Sequence, residues 1–346
     1  MYVKIVVSYS KILLKQLYYF FLFLIAINIS KSSQAFLSFK YPYSFTIKDR
    51  NIFVIHQDGV TICDPKFKTI IRKEVIFEDS EKINSDASLS KVTSLYENGY
   101  IICLINDYIY IFDEDGNLKF KSSSSINSGS IYGDYYTLVN TGLISNCLYY
   151  IIGFVYNQRL YFYGYKYDIS SNTNSNFANL EGCNHQYSSS SFYIKNKGLS
   201  CQYVTKTSLG QRLLCVYLIY GTKSKISFDY FKVTTSAITR VSSSYSQYLA
   251  YSDYDVECFK TALSSDKTQV LLVTYNSDGI GTFAIFDVNK SYSNLDSKYI
   301  PSHYYRMFYH ILKVTYFPET NEYLMTGLLT SNGQNDLFLV DFLMVN

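Results

Sequence analysis

Short apolar runs alternate along most of this chain with turns made of Asn, Asp, Gly and Ser. The stretch QVLLVTYNSDGIGTFAIFDV (residues 269–288) shows the unit: an apolar run, a turn carrying Asp278-Gly279, and a second apolar run that closes on Phe-Asp. Runs rich in Val, Ile, Leu, Tyr and Phe on either side of such a turn predict a β-hairpin. Asn-Gly or Asp-Gly pairs at Asp58, Asn98, Asp115, Asp278 and Asn332 supply the same turn chemistry elsewhere. No long segment with a 3.6-residue apolar period follows the first thirty or so positions, so helices are not expected there.

The phrase recurs. Endings of one form appear at VTICD (Asp64), YIFD (Asp113), YKYD (Asp168), SFD (Asp229), AIFD (Asp287) and FLVD (Asp341), at intervals of 49, 55, 61, 58 and 54 residues. Each is preceded by another strand-like run, as in IICLIND, YYIIGFVYN, LLCVYLIYG and YLMTGLLTSNG, and upstream of that by a further one, as in KVTSLY or ILKVTYF. A period of this size built from short strands is the mark of a propeller or similar array. The physical reason is that one small sheet cannot bury both of its faces, whereas stacked copies cover one another.

The aromatic or aliphatic residue followed by Asp resembles the Trp-Asp that closes the third strand of each blade in WD-repeat propellers, with Phe, Tyr, Ile or Val here in place of Trp. The resemblance covers about residues 36–346 and implies an all-β, six-bladed β-propeller of four-stranded antiparallel blades, with seven blades as the alternative. Only FLMVN remains after Asp341, while FLSFKYPYSFTI stands before the first full unit. An N-terminal strand (residues 36–39) is therefore expected to pair with the last blade near residues 338–342 and close the ring.

Composition limits the partners. A formal charge of +3 over 346 residues is too small for the electrostatic footprint of a nucleic-acid binder, so none is expected. The 38 Tyr and 24 Phe against no Trp and 4 Pro match a biased coding sequence as well as a function. At the N-terminus, Lys4, Lys11 and Lys15 precede the apolar run LYYFFLFLIAI (residues 17–27), followed by Ser33-Gln34-Ala35, a small-x-small cleavage pattern. The run is shorter than the roughly 20 residues a spanning helix needs. The expected layout is a signal peptide, 1–35, and one propeller domain, 36–346, secreted or displayed at the cell surface with no transmembrane helix after cleavage. The alternative is a lumenal or membrane-tethered protein held by an uncleaved signal anchor.

Seven cysteines, at 63, 103, 147, 183, 201, 215 and 258, show no Cys-x-x-Cys spacing, so no metal knuckle or thioredoxin-type motif is expected. Cys201 and Cys215 lie in successive expected strands, LSCQYV and RLLCVYLIY, symmetric about Ser208. A hairpin centred there sets them opposite each other, within disulfide reach in a non-hydrogen-bonded pair.

Signs of catalysis are few. His56, His185, His303 and His310 accompany no nucleophile elbow, metal helix or phosphate loop, and no catalytic residue, metal or cofactor is assigned. The repeated Asp is expected to cap the turn into the fourth strand, and DEDGN (residues 113–117) to be a hairpin turn rather than a calcium loop. Long Ser, Tyr and Asn stretches separate the units. In SSSYSQYLAYSDYD (residues 242–255) and around residue 304, Tyr245, Tyr248, Tyr251, Tyr254, Tyr304 and Tyr305 are the candidate binding residues, because Tyr on a Ser-rich loop gives contact area at low ordering cost. The same stretches also read as linkers with an outer strand inside them. The expected function is a secreted or surface recognition module for a protein or surface ligand. The alternatives are a secreted propeller hydrolase acting at the central mouth and a structural coat component.

Overall fold

The computed structural model describes residues 34–37, 42–48, 51–56, 59–63, 71–76, 92–105, 107–126, 134–183, 193–204, 212–220, 225–241, 247–249, 256–264, 268–276, 281–287, 296–299, 310–317, 322–331 and 334–342. These residues form 25 strands and no helix. After β1 (Gln34–Leu37), the first sheet joins β2 (Pro42–Lys48), β3 (Asn51–His56), β4 (Gly59–Cys63) and β5 (Ile71–Ile76) in chain order. The second joins β6 (Val92–Glu97), β7 (Tyr100–Ile105), β8 (Tyr108–Asp113) and β9 (Leu118–Lys121). The third joins β10 (Asp134–Ile144), β11 (Cys147–Tyr156), β12 (Arg159–Asp168) and β13 (Thr173–Cys183). The fourth joins β14 (Tyr193–Val204), β15 (Arg212–Tyr220), β16 (Lys225–Val233) and β17 (Ile238–Arg240), and β18 (Gln247–Leu249) adds to β16 as well. The fifth joins β19 (Val256–Leu263), β20 (Gln269–Asn276), β21 (Gly281–Asp287) and β22 (Asp296–Tyr299). In the last, β23 (His310–Phe317), β24 (Glu322–Ser331) and β25 (Gln334–Phe342) take β1 as their fourth strand.

Each sheet is antiparallel and four-stranded, except the fourth, which β18 makes five-stranded, and the first strands of successive sheets are neighbours: β2 beside β6, β6 beside β10, β10 beside β14, β14 beside β19 and β19 beside β23. This is a β-propeller, loosely WD-like as the repeated Asp suggested. The expected N-terminal pairing is present, with Phe36 opposite Phe338 and Leu37 opposite Leu337. It begins two residues earlier than expected, because Gln34 and Ala35 also pair, with Val340 and Leu339.

The second strands explain why the apolar runs are unbroken. All of Leu213 to Ile219 on β15 is buried. Its odd positions, Leu213, Cys215, Tyr217 and Ile219, join the core shared with the third blade, while Leu214, Val216 and Leu218 join the core shared with the fifth. Likewise on β7, Ile101, Cys103 and Ile105 face the first blade, and Ile102 and Leu104 the third. A strand covered on both faces has no solvent side to mark with polar residues. Each such side chain contributes about 1.5–3 kcal/mol on burial.

Turn chemistry sets the hairpins. Asn98 and Gly99 both have positive φ, 48° and 85°, as a type I′ turn demands. Two further turns of this kind carry no Gly at all: Ser145-Asn146 (φ 48° and 62°) and Asn157-Gln158 (φ 46° and 63°). At Gly153 on β11 the need is close approach, since a Cβ there would lie 2.8 Å from the Phe162 ring and 2.9 Å from Thr137 Cγ2.

The repeated Asp takes the expected place where the third strand ends. Asp113 and Asp287 close β8 and β21, and Asp168 closes β12. Asp113 Oδ1 accepts from the amides of Asp115 (3.0 Å) and Asn117 (2.8 Å), and Asp168 Oδ1 from those of Ser170 (2.9 Å) and Ser171 (3.1 Å), so both cap turns. DEDGN is a hairpin turn closed by the Gly116 amide on Asp113 O at 3.0 Å. Asp229 departs from the pattern. It lies inside β16, which runs on to Val233, because two short strands share the outer edge there: β18 pairs with Ile226 to Phe228 and β17 with Phe231 to Val233. Asp64 lies outside the described residues.

Candidate recognition surface between the second and third blades

Strand β12 reads Arg-Leu-Tyr-Phe-Tyr-Gly-Tyr-Lys-Tyr-Asp, and its period of two places Tyr161, Tyr163, Tyr165 and Tyr167 on one face. That face turns toward the second blade, where the four tyrosines join Ile102, Leu104, Ile109 and Ile111 in one core. Aromatic contacts tie it together. Tyr150 stacks on Tyr165 (centroids 5.7 Å apart), Phe154 on Tyr161 (5.3 Å), and Tyr167 meets the edges of Tyr100 (5.8 Å) and Phe120 (6.3 Å) from the second blade.

At the end of this seam nearest the Asp168 turn, amide side chains meet the phenols. Tyr150 Oη donates to Asn174 Oδ1 at 2.8 Å and Tyr167 Oη to Asn172 Oδ1 at 2.7 Å, while Asn176 Nδ2 donates to Asn179 Oδ1 at 2.7 Å. Asn146 Nδ2 donates to Ser170 Oγ at 2.6 Å and joins the two turns of the blade at this end. Tyr150 and Tyr167 are fully buried, Tyr100, Phe120, Tyr165 and Asn174 are half-buried, and Asn172 and Asn176 are exposed. Burial, with the neighbouring Tyr163, pushes the Tyr165 phenol up to about 12. Burial and the facing Tyr100 do the same for Tyr167, and burial drives Tyr150 well above its ordinary range. These hydroxyls stay neutral through the physiological range, and what the surface presents is the half-buried Tyr165 beside the exposed amides of Asn172 and Asn176, all uncharged.

Polar links also tie the first strands to one another. The Cys201 amide donates to Thr137 Oγ1 at 3.0 Å, and the Thr261 amide to Ser200 Oγ at 3.2 Å. Thus a hydroxyl on the third blade and one on the fourth each bond an amide on the inner edge of the next blade, an edge with no strand partner among the described residues. Gln202 Nε2 adds a bond to Thr261 O at 2.9 Å. These groups are buried or half-buried, and their role is to join blades.

The tyrosines singled out from the loops are not brought together within the described residues. Tyr248 lies on β18, opposite Ser227, so the stretch around it does hold an outer strand. Tyr245, Tyr251, Tyr254, Tyr304 and Tyr305 lie outside the described residues, as do His185 and His303. Cys201 and Cys215 form a disulfide, opposite each other in register with Cα atoms 4.2 Å apart, the spacing of a non-hydrogen-bonded pair. Among the described residues no group of three or more His, Cys, Asp or Glu could hold a metal ion, and no helix is long and apolar enough to cross a membrane. The β12 ladder was within reach of sequence reasoning, since YFYGYKY alternates without a gap. Its meaning depended on knowing which face meets another blade.

No family model matches the chain, and no curated protein matches it. Among solved structures it is similar to the Dos1 propeller (11% identity, covering 87% of this chain and 69% of that one, TM-score 0.42). It is also similar to the six-bladed fucose-recognising lectin of the fungus Aleuria aurantia (8% identity, 86% and 90%, TM-score 0.49) and to the sialidase of Trypanosoma rangeli (10% identity, 88% and 55%, TM-score 0.46).

Proposed function

We propose that this chain is an exported recognition module that binds a protein or surface ligand through the tyrosine- and asparagine-lined seam between its second and third blades. The observation that carries this reading is the neutral hydrogen-bonding rim of Tyr165, Asn172, Asn174 and Asn176, built on strands and a tight turn rather than on long loops. Rings held in place by packing, with phenols oriented by amides, present area and directionality at little ordering cost. Phenols held neutral at physiological pH are poor general bases and poor nucleophiles, which favours binding over chemistry. Export rests on the Lys-rich, apolar N-terminus and its small-x-small pattern.

The test is saturable binding of the purified chain to intact cells and to secreted material of its source. Tyr165→Ala with Asn176→Lys should weaken binding by about tenfold or more, the scale of losing one well-placed contact group. Lys73→Ala on β5 serves as a distant control. Binding that does not saturate, or that the double variant leaves unchanged, would overturn the proposal, as would turnover of a substrate by the native chain alone.

A further inference from the structure

Among the described residues, the fourth strand of a blade has one edge that no strand of its own sheet covers, and this molecule treats those edges unequally. Strand β5 is six residues long with Arg72, Lys73 and Glu74, and β9 is four residues long with Lys119 and Lys121. Strand β17 has three residues including Arg240, β22 has four including Asp296 and Lys298, and β1 has four. Short length and charged side chains are the ordinary means of keeping a sheet edge from pairing with another chain. Strand β13 is long, and its one charged side chain, Glu181, lies near its far end. It runs for 11 residues, TNSNFANLEGC, and from Thr173 to Leu180 carries no ionisable group. The molecule elsewhere fills open edges by strand addition, with β1 captured by β25 and β18 by β16.

We propose that β13 is a self-association edge, to which a second copy of this chain adds its own β13 antiparallel across a twofold axis. Residues 173–176 pair one for one with β12, from Asp168 opposite Thr173 to Tyr165 opposite Asn176, and the register shift comes only after them. Their backbone is therefore regular and ready to accept a strand. A twofold at Ser175 sets Ser175 of one copy against Ser175 of the other, and Asn174 against Asn176. Antiparallel pairing of identical strands is self-complementary, so one patch serves both copies. Only neutral Asn and Ser meet across it, which hydrogen-bond as cross-strand neighbours without like-charge repulsion. Thr173, Ser175 and Asn176 are exposed, and the net charge of +3 sets little long-range repulsion between copies. A partner chosen by charge would find nothing here to select on, whereas a second copy brings the matching edge.

Sedimentation velocity of the full chain across a wide concentration range should show a reversible dimer, and the amides of residues 173–176 should exchange more slowly as concentration rises. Ser175→Lys places an ammonium on this edge, close to its own counterpart across the axis. It should weaken the dimer at least about tenfold with an unchanged melting temperature. Ser123→Lys, exposed on the second blade, should leave the dimer intact. A monomer at every concentration, a dimer indifferent to Ser175→Lys, or exchange at residues 173–176 that ignores concentration would each overturn the proposal. So would a monomer that captures an unrelated extended peptide on β13. Should Ser175→Lys fail to fold, the exchange measurement on the native chain decides alone.

Discussion

Tyr217 donates a 2.6 Å hydrogen bond to Oδ2 of Asp229, and Arg240 Nη2 holds the same carboxylate at 3.0 and 3.1 Å. Asp229 and Tyr217 are buried, and the Arg240 side chain is 21% exposed. The group sits where the outer strand of the fourth blade passes from β17 to β18, so a charge pair and a phenol hold together an edge that two three-residue strands share. Removing one partner of a buried pair leaves the other uncompensated. Asp229→Ala should cost about 3 kcal/mol in urea unfolding. Tyr217→Phe should cost about 1–2 kcal/mol, since it strips one donor from a charged acceptor. A double-mutant cycle showing no coupling between the two sites would contradict this account.

The disulfide between Cys201 and Cys215 closes a hairpin with a sequence separation of 14. Non-reducing peptide mapping should recover the two cysteines linked. Replacing both with Ala should lower stability by about 3 kcal/mol, chiefly by freeing the unfolded chain. A map in which both emerge as free thiols from oxidising expression would refute the link.

Strand β1 belongs to the last blade although it begins the described chain. We expect this pairing to close the ring, making the blades mutually dependent. Deleting residues 36–40 from a chain that begins at Phe36 should therefore lower the melting temperature of the whole domain rather than fray one sheet, because a tethered strand pairs at high effective concentration. Equal melting and solubility of the deletion and the intact chain would rule the clasp out. The mature N-terminus is expected at Phe36, which leaves Phe36 and Leu37 of β1 in place. Terminal sequencing that finds Met1 on the exported chain would end the cleavage reading.

Alkaline pH tests the tyrosine seam. The folded pKa values of Tyr165 and Tyr167 are raised to about 12 from an ordinary 10.0. A raised folded pKa adds stability that is fully present below pH 10 and declines between about pH 10 and 12 as the unfolded chain ionises first. Tyr165→Phe should flatten that decline by about one proton in the slope of stability against pH. An unchanged slope would place the phenol in water instead.

Acid pH acts on the turn caps in the opposite direction. At Asp113, partial burial pulls the pKa up, but the Asn117 bonds and Lys119, with its Nζ 3.1 Å away, win and hold it below the ordinary 3.8. A depressed pKa adds stability above the unfolded value that is lost as pH falls through the folded one. Asp113→Asn should therefore reduce the acid dependence of stability below about pH 4. A profile identical to the native one would refute the capping role.

The sequence alone determined the strand content, the repeat and the caps, because these are local. Asn98-Gly99 can adopt two successive positive φ values, Asp113 and Asp168 reach amides within four residues, and Cys201 and Cys215 are matched by symmetric spacing about one turn. The meeting of the two chain ends was also legible, since a spare strand and a missing one must be reconciled. Tertiary structure decided the rest. On β12 the alternation YFYGYKY marks two faces but does not say which blade each meets, and the phenols find Asn172 and Asn174 only because β13 folds back beside them. Asp229 carries the same local motif as Asp113, yet β16 continues past it to pair Phe231 to Val233 with β17, whose Arg240 turns a cap into an ion pair. Local chemistry is written in spacing and turn residues. Which side chain is buried against which depends on contacts between blades far apart in the chain, and spacing does not encode them.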